Sequence, residues 1–243
     1  STPFDDTAVT FLEKLNTPAY KIASFECTDL NLIKRVASTN KPLIISTGMA
    51  NDSEIGEAVE TALKFGSGEL TLLHCVSGYP SPAGEYNLRT IADMKNRFGV
   101  QVGLSDHTLN NVTAISAVAL GAVMVEKHVT LDRNGGGPDD SFSLEEDGLM
   151  ELCSSTKTAW QSLGEVNYER TEAEKGNVKF RRSLYYVRAL QEGDIITEND
   201  IRSVRPGFGL PPKYYDKLIG SKVTMSVEEN SPVTLESVNP ELD

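Results

Sequence analysis

Five short, apolar, β-rich runs, each joined to the next by a segment of helical character, constrain this chain more than any other feature. They occupy residues 20–24, 43–47, 70–75, 102–105 and 123–128. Ala8, Phe11, Leu12 and Leu15, and later Ile55, Ala58, Val59 and Ala62, follow the i, i+3, i+4, i+7 spacing of a helix with one buried face. Asp5, Asp29 and Asp52 stand where helix N-caps would stand. Strands that alternate with helices must run parallel and be joined by crossovers, so the chain is an α/β protein.

The strand ends narrow the choice further. Each apolar run finishes in polar or reactive residues: Lys21 and Ser24; Ser46 and Thr47; His74, Ser77 and Tyr79; Ser105, Asp106 and His107; Lys127 and His128. In a (β/α)8 barrel the carboxyl ends of several strands build one site. An open doubly wound sheet gathers its ligand near a single switch point instead, and there is neither a GxGxxG nor a P-loop sequence here. The barrel is therefore expected. We place it at residues 1–165, followed by a polar linker over 166–179 and a small β-rich domain over 180–243, with turns such as Glu192-Gly193-Asp194.

Composition sets the environment and the partners. A net charge of −12 argues against nucleic acid or an anionic membrane as partner. It also means that a phosphate site must rely on local donors. No apolar run approaches the ~20 residues of a membrane span, and no export signal opens the sequence. Cys27, Cys75 and Cys153 are odd in number and far apart, which reads as buried free thiols in a reducing cytoplasm.

His107 and His128 are the sharpest pair, because neighbouring barrel strands would aim both imidazoles at one point. Two neutral imidazoles plus water and a substrate oxygen suit an open divalent-metal site, and two hydrogen-bonded histidines in a barrel mouth are the structural alternative. His74 lies deeper in its strand and reads as structural. Lys21 with Ser24, Thr2, Ser46, Ser77 and Ser105 could form a phosphate cradle. The Gly-rich segment 132–140 could bind sugar hydroxyls, although loop geometry explains its glycines equally well.

With these pieces in place the chain resembles the sialic acid synthase (nonulosonic acid synthase) family over essentially its whole length. The resemblance rests on Ser1-Thr2-Pro3-Phe4-Asp5, Tyr20-Lys21-Ile22-Ala23-Ser24, Ile45-Ser46-Thr47-Gly48-Met49, Leu73-His74-Cys75 with Tyr79-Pro80-Ser81-Pro82, Gly103-Leu104-Ser105-Asp106-His107-Thr108, Glu126-Lys127-His128 and Gly137-Pro138-Asp139. Gly193-Asp194-Ile195-Ile196-Thr197 and Arg205-Pro206-Gly207 resemble that family's antifreeze-like (SAF) domain. Phe25 and the run 136–145 look most like the pseudaminic acid synthases.

The resemblance implies a fold, a reaction and a set of roles. Thr2, Lys21, Ser24, Ser46, Ser77 and Ser105 would bind phosphoenolpyruvate; His107 and His128 would hold a divalent ion, with Mn2+ ahead of Mg2+ or Co2+. Tyr79 and Asp139 would contact the amino sugar, Glu26 would be an acid-base or neighbouring group, and Arg205 would reach the sugar across a domain-exchanged homodimer. Ser77 stands where sialic acid synthases often carry Asn. In the family the Ser-Thr-Pro-Phe sequence ends the third barrel strand, so the first two to three strands are expected to be missing and the fragment alone to be inactive. The implied reaction condenses phosphoenolpyruvate with a 2,4-diacetamido-2,4,6-trideoxy hexose. The alternatives are an N-acetylneuraminate or legionaminate synthase and a non-catalytic carbohydrate-binding relative.

Overall fold

The computed structural model describes residues 1–238 and divides into two compact units, Ser1–Glu165 and a second beginning at Val166. The first unit runs α1 (Asp6–Lys14), β1 (Tyr20–Ile22), α2 (Leu30–Ala37), β2 (Leu43–Ser46), α3 (Asp52–Phe65), β3 (Leu70–Cys75), α4 (Thr90–Phe98), β4 (Gln101–Asp106), α5 (Val112–Ala119), β5 (Val125–Lys127) and α6 (Glu146–Leu163). All five strands are parallel and pair in chain order, which is the topology that successive βα units dictate.

The sheet is strongly curved. Four strand spacings of ~4.8 Å would put β1 and β5 roughly 19 Å apart if the sheet were flat. Yet Lys21 Nζ on β1 lies 3.5 Å from Glu126 Oε1 on β5. Only a sheet curled about a common axis brings these side chains together, as part of a barrel would. Ser1 lies alongside β1: its ammonium donates to the Ala19 carbonyl and its own carbonyl accepts from Lys21 N–H.

Period-two alternation sorts the strand side chains. Tyr20, Ile22, Leu43, Ile45, Leu70, Leu72, Val102 and Leu104 are buried in the apolar core with Ile33, Val36, Ala58, Ala62, Ile91 and Ala117 from the helices. On α3 the expected face, Ile55, Ala58, Val59 and Ala62, is the buried one. On α1 it is not: Val9 is the buried residue, whereas Phe11 and Leu15 are exposed. Its apolar arc is wider than the surface α2 covers, so periodicity gave the helix but not its inner face. Asp5 and Asp29 cap α1 and α2 through their carboxylates, but the cap of α3 is Asn51, in a capping box with Glu54, and Asp52 is the first helical residue.

Cys27 and Cys75 are buried free thiols, while Cys153 is exposed on α6, contrary to the expectation for all three. Only Cys75 lies in a strand; Cys27 follows a short 3-10 turn over Ser24–Glu26. The second unit is built on an antiparallel pair, β6 (Ser183–Tyr186) with β7 (Ile201–Val204), and on isolated bridges. Its own core holds Leu184, Tyr186, Leu190, Ile196, Ile201, Leu218, Val223 and Val233. Buried Asp200 accepts from Thr197 N–H and hydroxyl and from Arg188, which satisfies the carboxylate within its own turn.

Candidate active site

The carboxyl ends of β1–β5 converge on one mouth. The ladder sets Ser105 opposite Glu126 and Asp106 opposite Lys127. Alternation therefore turns Ser105 and Glu126, with His107 and His128 beyond them, toward the sheet axis, and Asp106 and Lys127 away from it. Lys127, grouped with the mouth residues on sequence grounds, points to the opposite face and makes a buried ion pair with Asp106.

The two imidazoles lie with ring centroids 5.3 Å apart. His107 Nδ1 is 2.8 Å from the Val76 carbonyl, and His128 Nδ1 is 3.4 Å from Asp139 Oδ2. With Nδ1 engaged in each ring, Nε2 would be the nitrogen offered to a metal, the arrangement that orients metal-binding histidines, although the His107 ring also hydrogen-bonds Cys75. The donor set fits an open divalent site with two protein nitrogens. Among the described residues there is no cluster of three or more His, Cys, Asp or Glu placed to hold an ion. Water and substrate oxygens would have to complete the shell.

His107 is fixed at its backbone as well. Its N–H donates to the hydroxyl of fully buried Tyr86 at 2.6 Å, and its carbonyl accepts from Ser81 N–H at 3.0 Å. Burial disfavours the imidazolium of His107, but interactions with Cys75 and the Val76 carbonyl outweigh it and hold the pKa above the usual histidine range. Burial and then the neighbouring His107 charge push His128 the other way, against the pull of Asp139 and Glu126. Tyr79 packs on both rings, and Phe142 packs on Tyr79 and His128.

The hydroxyls gather beside this pair. Ser24 Oγ accepts from Gly48 N–H at 3.1 Å and lies 3.4 Å from Cys75 Sγ, which is itself 3.9 Å from Ser77 Oγ. Burial opposes the Cys75 thiolate, but hydrogen bonding with His107 and Ser24 outweighs it and lowers the pKa. Ser105 Oγ donates to Glu126 Oε1 at 2.8 Å, and Lys21 reaches the same oxygen. Ser46 Oγ is buried without a hydrogen-bond partner, as is Glu26 Oε2. Orphaned buried polar atoms are costly and rare, and they favour a ligand-binding cradle over a merely structural cluster. Thr2 follows Ser1 beside β1, half-buried.

The remaining expectations divide. Asp139 meets His128, but Asp140 is spent on the loop, accepting from Thr130 Oγ1 and Gly137 N–H. His74 hydrogen-bonds the Tyr86 carbonyl, in keeping with a structural role. Arg205 is exposed in the second unit, next to β7. Sequence reasoning had not assigned Glu126, Cys75, Gly48 or Phe142 to the mouth. For Glu126 the signal was available: alternation puts it on the same face as His128. For Phe142 there was none, because it comes from the loop before α6.

A NeuB family model matches residues 1–168 and a SAF domain model matches residues 181–239. The pseudaminic acid synthase of Helicobacter pylori is 38% identical over 100% of this chain and 72% of its own length. A Campylobacter jejuni N,N'-diacetyllegionaminic acid synthase is also 38% identical, over 95% of this chain and 70% of its own. Among solved structures, a spore coat polysaccharide biosynthesis protein of Bacillus subtilis superimposes with a TM-score of 0.65 at 30% identity, covering 98% of this chain and 72% of that one. The chain spans between 66% and 72% of the curated pseudaminic acid synthases it matches.

Proposed function

Because the chain belongs to the NeuB family, we propose that it carries the condensing machinery of a nonulosonic acid synthase, joining phosphoenolpyruvate to the open-chain aldehyde of an amino sugar. The observation that carries this reading is the juxtaposition at one mouth of two oriented imidazoles with a lysine and a set of hydroxyls, one of them a buried orphan. Lys21, Thr2, Ser24, Ser46, Ser77 and Ser105 would hold the phosphate and carboxylate oxygens, and positioning of this kind supplies much of the rate in bimolecular condensations. His107 and His128 would hold a divalent cation, Mn2+ first, which when bound supplies Lewis-acid polarisation of the aldehyde oxygen.

Tyr79 and Asp139 flank the imidazoles and would orient the sugar. Glu126 shares its Oε1 between Lys21 and Ser105, fixing the lysine over the cradle, and Glu26 would serve as an acid-base or neighbouring group. The bond changes balance as follows. Carbon 3 of phosphoenolpyruvate attacks the aldehyde carbon, water adds at carbon 2, and the C–O bond to phosphate breaks to leave a nine-carbon 2-keto acid. Arg205 would reach the sugar site of a second subunit in a domain-exchanged homodimer working in the cytoplasm. Among the described residues no helix is long and apolar enough to cross a membrane.

The sugar we favour is a 2,4-diacetamido-2,4,6-trideoxy hexose of the pseudaminic series, after the H. pylori relative. The legionaminic series is the second reading, supported by a relative of equal identity. The test is phosphate release by the full-length gene product with phosphoenolpyruvate, Mn2+ and each candidate sugar in turn. Turnover with the pseudaminic precursor ahead of the others is expected. Turnover with only another six-carbon amino sugar would replace the substrate, and none with any sugar would overturn the reading.

A further inference from the structure

Behind the two histidines, on the opposite face of β4 and β5, lies an ion pair whose side chains are almost wholly removed from solvent. Lys127 Nζ is 2.7 Å from Asp106 Oδ2, with the two side chains 3% and 0% exposed. The same ammonium donates to the Thr108 carbonyl at 2.7 Å and the Asn110 carbonyl at 3.0 Å, while Asp106 Oδ1 accepts from Thr108 N–H at 2.9 Å. All three N–H donors of Lys127 are used, and each Asp106 oxygen accepts one hydrogen bond. The other ion pairs of the first unit all involve more exposed side chains.

Two features make its location informative. Asp106 immediately precedes His107, and Lys127 immediately precedes His128, in strands whose register sets Asp106 against Lys127. The ladder ends at that pair, and the two histidines follow directly, one beyond each strand. Moreover β5 is only three residues long and pairs with β4 alone in the sheet, so the side-chain ties at its carboxyl end are this ion pair on one face and the Ser105–Glu126 hydrogen bond on the other. His107 is anchored at its backbone by Tyr86 and Ser81, and His128 by Leu144, whose N–H donates to its carbonyl at 2.8 Å, so the ion pair links the two strand ends immediately before the anchored histidines.

Stability does not require such a pair. Replacing a buried ion pair by apolar side chains of similar volume is often neutral or stabilising, because the desolvation cost offsets the Coulomb attraction. What the charges supply that an apolar pair would not is direction: a fixed contact between two strand ends, and a clamp on the loop that follows His107. We infer that Asp106 and Lys127 are positioning residues, whose buried ion pair sets the separation and facing of the His107 and His128 imidazoles. The inference rests on the proposed reading that these imidazoles act on one centre.

The test uses the full-length gene product and its D106L/K127M double variant, with K127R as a milder second variant. Three readouts are taken: Mn2+ affinity by calorimetry without substrates, the division of any effect between kcat and the KM for phosphoenolpyruvate, and NMR contacts between the imidazole rings. These 243 residues hold three histidines, whose ring signals are assigned in the full-length product by single substitutions, and His74 serves as an internal reference. A misplacement of about 1 Å can cost roughly a hundredfold in rate.

The double variant is expected to unfold cooperatively near the wild-type temperature, to lose the contact between the His107 and His128 rings, to bind Mn2+ at least about tenfold more weakly and to lose a comparable factor in kcat. KM for phosphoenolpyruvate should stay within about twofold, since the hydroxyl cradle sits mainly on the other strands; K127R should show the same pattern at smaller size. If the double variant does not fold, K127R decides alone: an altered ring contact supports the inference, and unaltered ring contact and Mn2+ affinity overturn it. An intact ring contact in a folded double variant overturns it as well. Should the wild type neither bind Mn2+ nor release phosphate, the functional reading fails, but the ring contact still decides whether the pair positions the histidines.

Discussion

At Gly48, an added methyl group would stand 2.1 Å from Ser77 Oγ and 2.8 Å from Ser24 Oγ. The glycine is therefore required by close approach: its N–H donates to Ser24, and its missing side chain leaves room for both hydroxyls. Gly48→Ala is expected to displace the hydroxyls and raise the KM for phosphoenolpyruvate by about tenfold or more, on the order of 1.4 kcal/mol, with less effect on kcat. An unchanged KM would remove Ser24 and Ser77 from the cradle. His74 gives a pH prediction. Burial lowers its pKa, outweighing the hydrogen bond to the Tyr86 carbonyl. The folded state thus takes up the proton less readily than the unfolded chain, so the stability linked to His74 is complete above the ordinary value near 6.5 and is lost as pH falls through it. His128 acts in the same sense and His107 in the opposite one, so the measurement must be a difference. Urea midpoints at pH 7.5 and 5.5 should fall further for the wild type than for His74→Asn, and equal slopes would sink the assignment. At this scale the sequence revealed the reactive residues but not their partners. His107 and His128 stood out by chemistry, whereas Cys75 and Gly48 matter through neighbours about 50 and about 30 residues away, which no local pattern displays.

Elements were legible wherever one physical cause dominated. The buried face of α3 follows from its apolar period, and the parallel sheet follows from strand–helix alternation. The misreadings arose where two causes competed. On α1 the apolar stripe predicts one wholly buried face, but Phe11 and Leu15 on it are exposed. At α3 three polar residues, Asn51, Asp52 and Ser53, were available as caps, and the capping box chose the one three residues before Glu54. That choice is testable. Asn51→Ala removes the acceptor for Glu54 N–H and should cost about 1 kcal/mol, whereas Asp52→Ala loses only a first-turn charge and its exposed contact with Arg97, worth roughly 0.5 kcal/mol. Thermal melts of the two variants should therefore rank them in that order. The reverse order would mean that Asp52 is the working cap. The same competition operates at Lys127. A lysine beside a histidine at a strand end looks like part of the mouth until strict alternation is applied.

For the whole molecule, the consequence of a curved sheet that pairs β5 on one side only is an uncovered apolar surface. Between α5, β5 and α6 lies an open groove of about 720 Å3 lined by Val123, Met124, Leu149, Trp160 and Leu163. Trp160 is 67% exposed there and is the only tryptophan in the chain, so its fluorescence reports on this groove alone. A polypeptide of these 243 residues should show tryptophan emission close to that of the free amino acid in water and should enhance the fluorescence of an apolar dye. Exposed side chains of this size on an unpaired strand edge also favour association, so the dye signal should fall as the polypeptide is concentrated. Leu163→Glu would put a charge at one end of the groove without touching the buried core; it should weaken dye binding and keep the polypeptide monomeric to higher concentration. The net charge of −12 works against association at low salt, and screening should therefore promote it. Dye binding that is absent, or indifferent to Leu163→Glu, would show that the groove is closed in solution and that α6 packs against β5 more tightly than the structure has it.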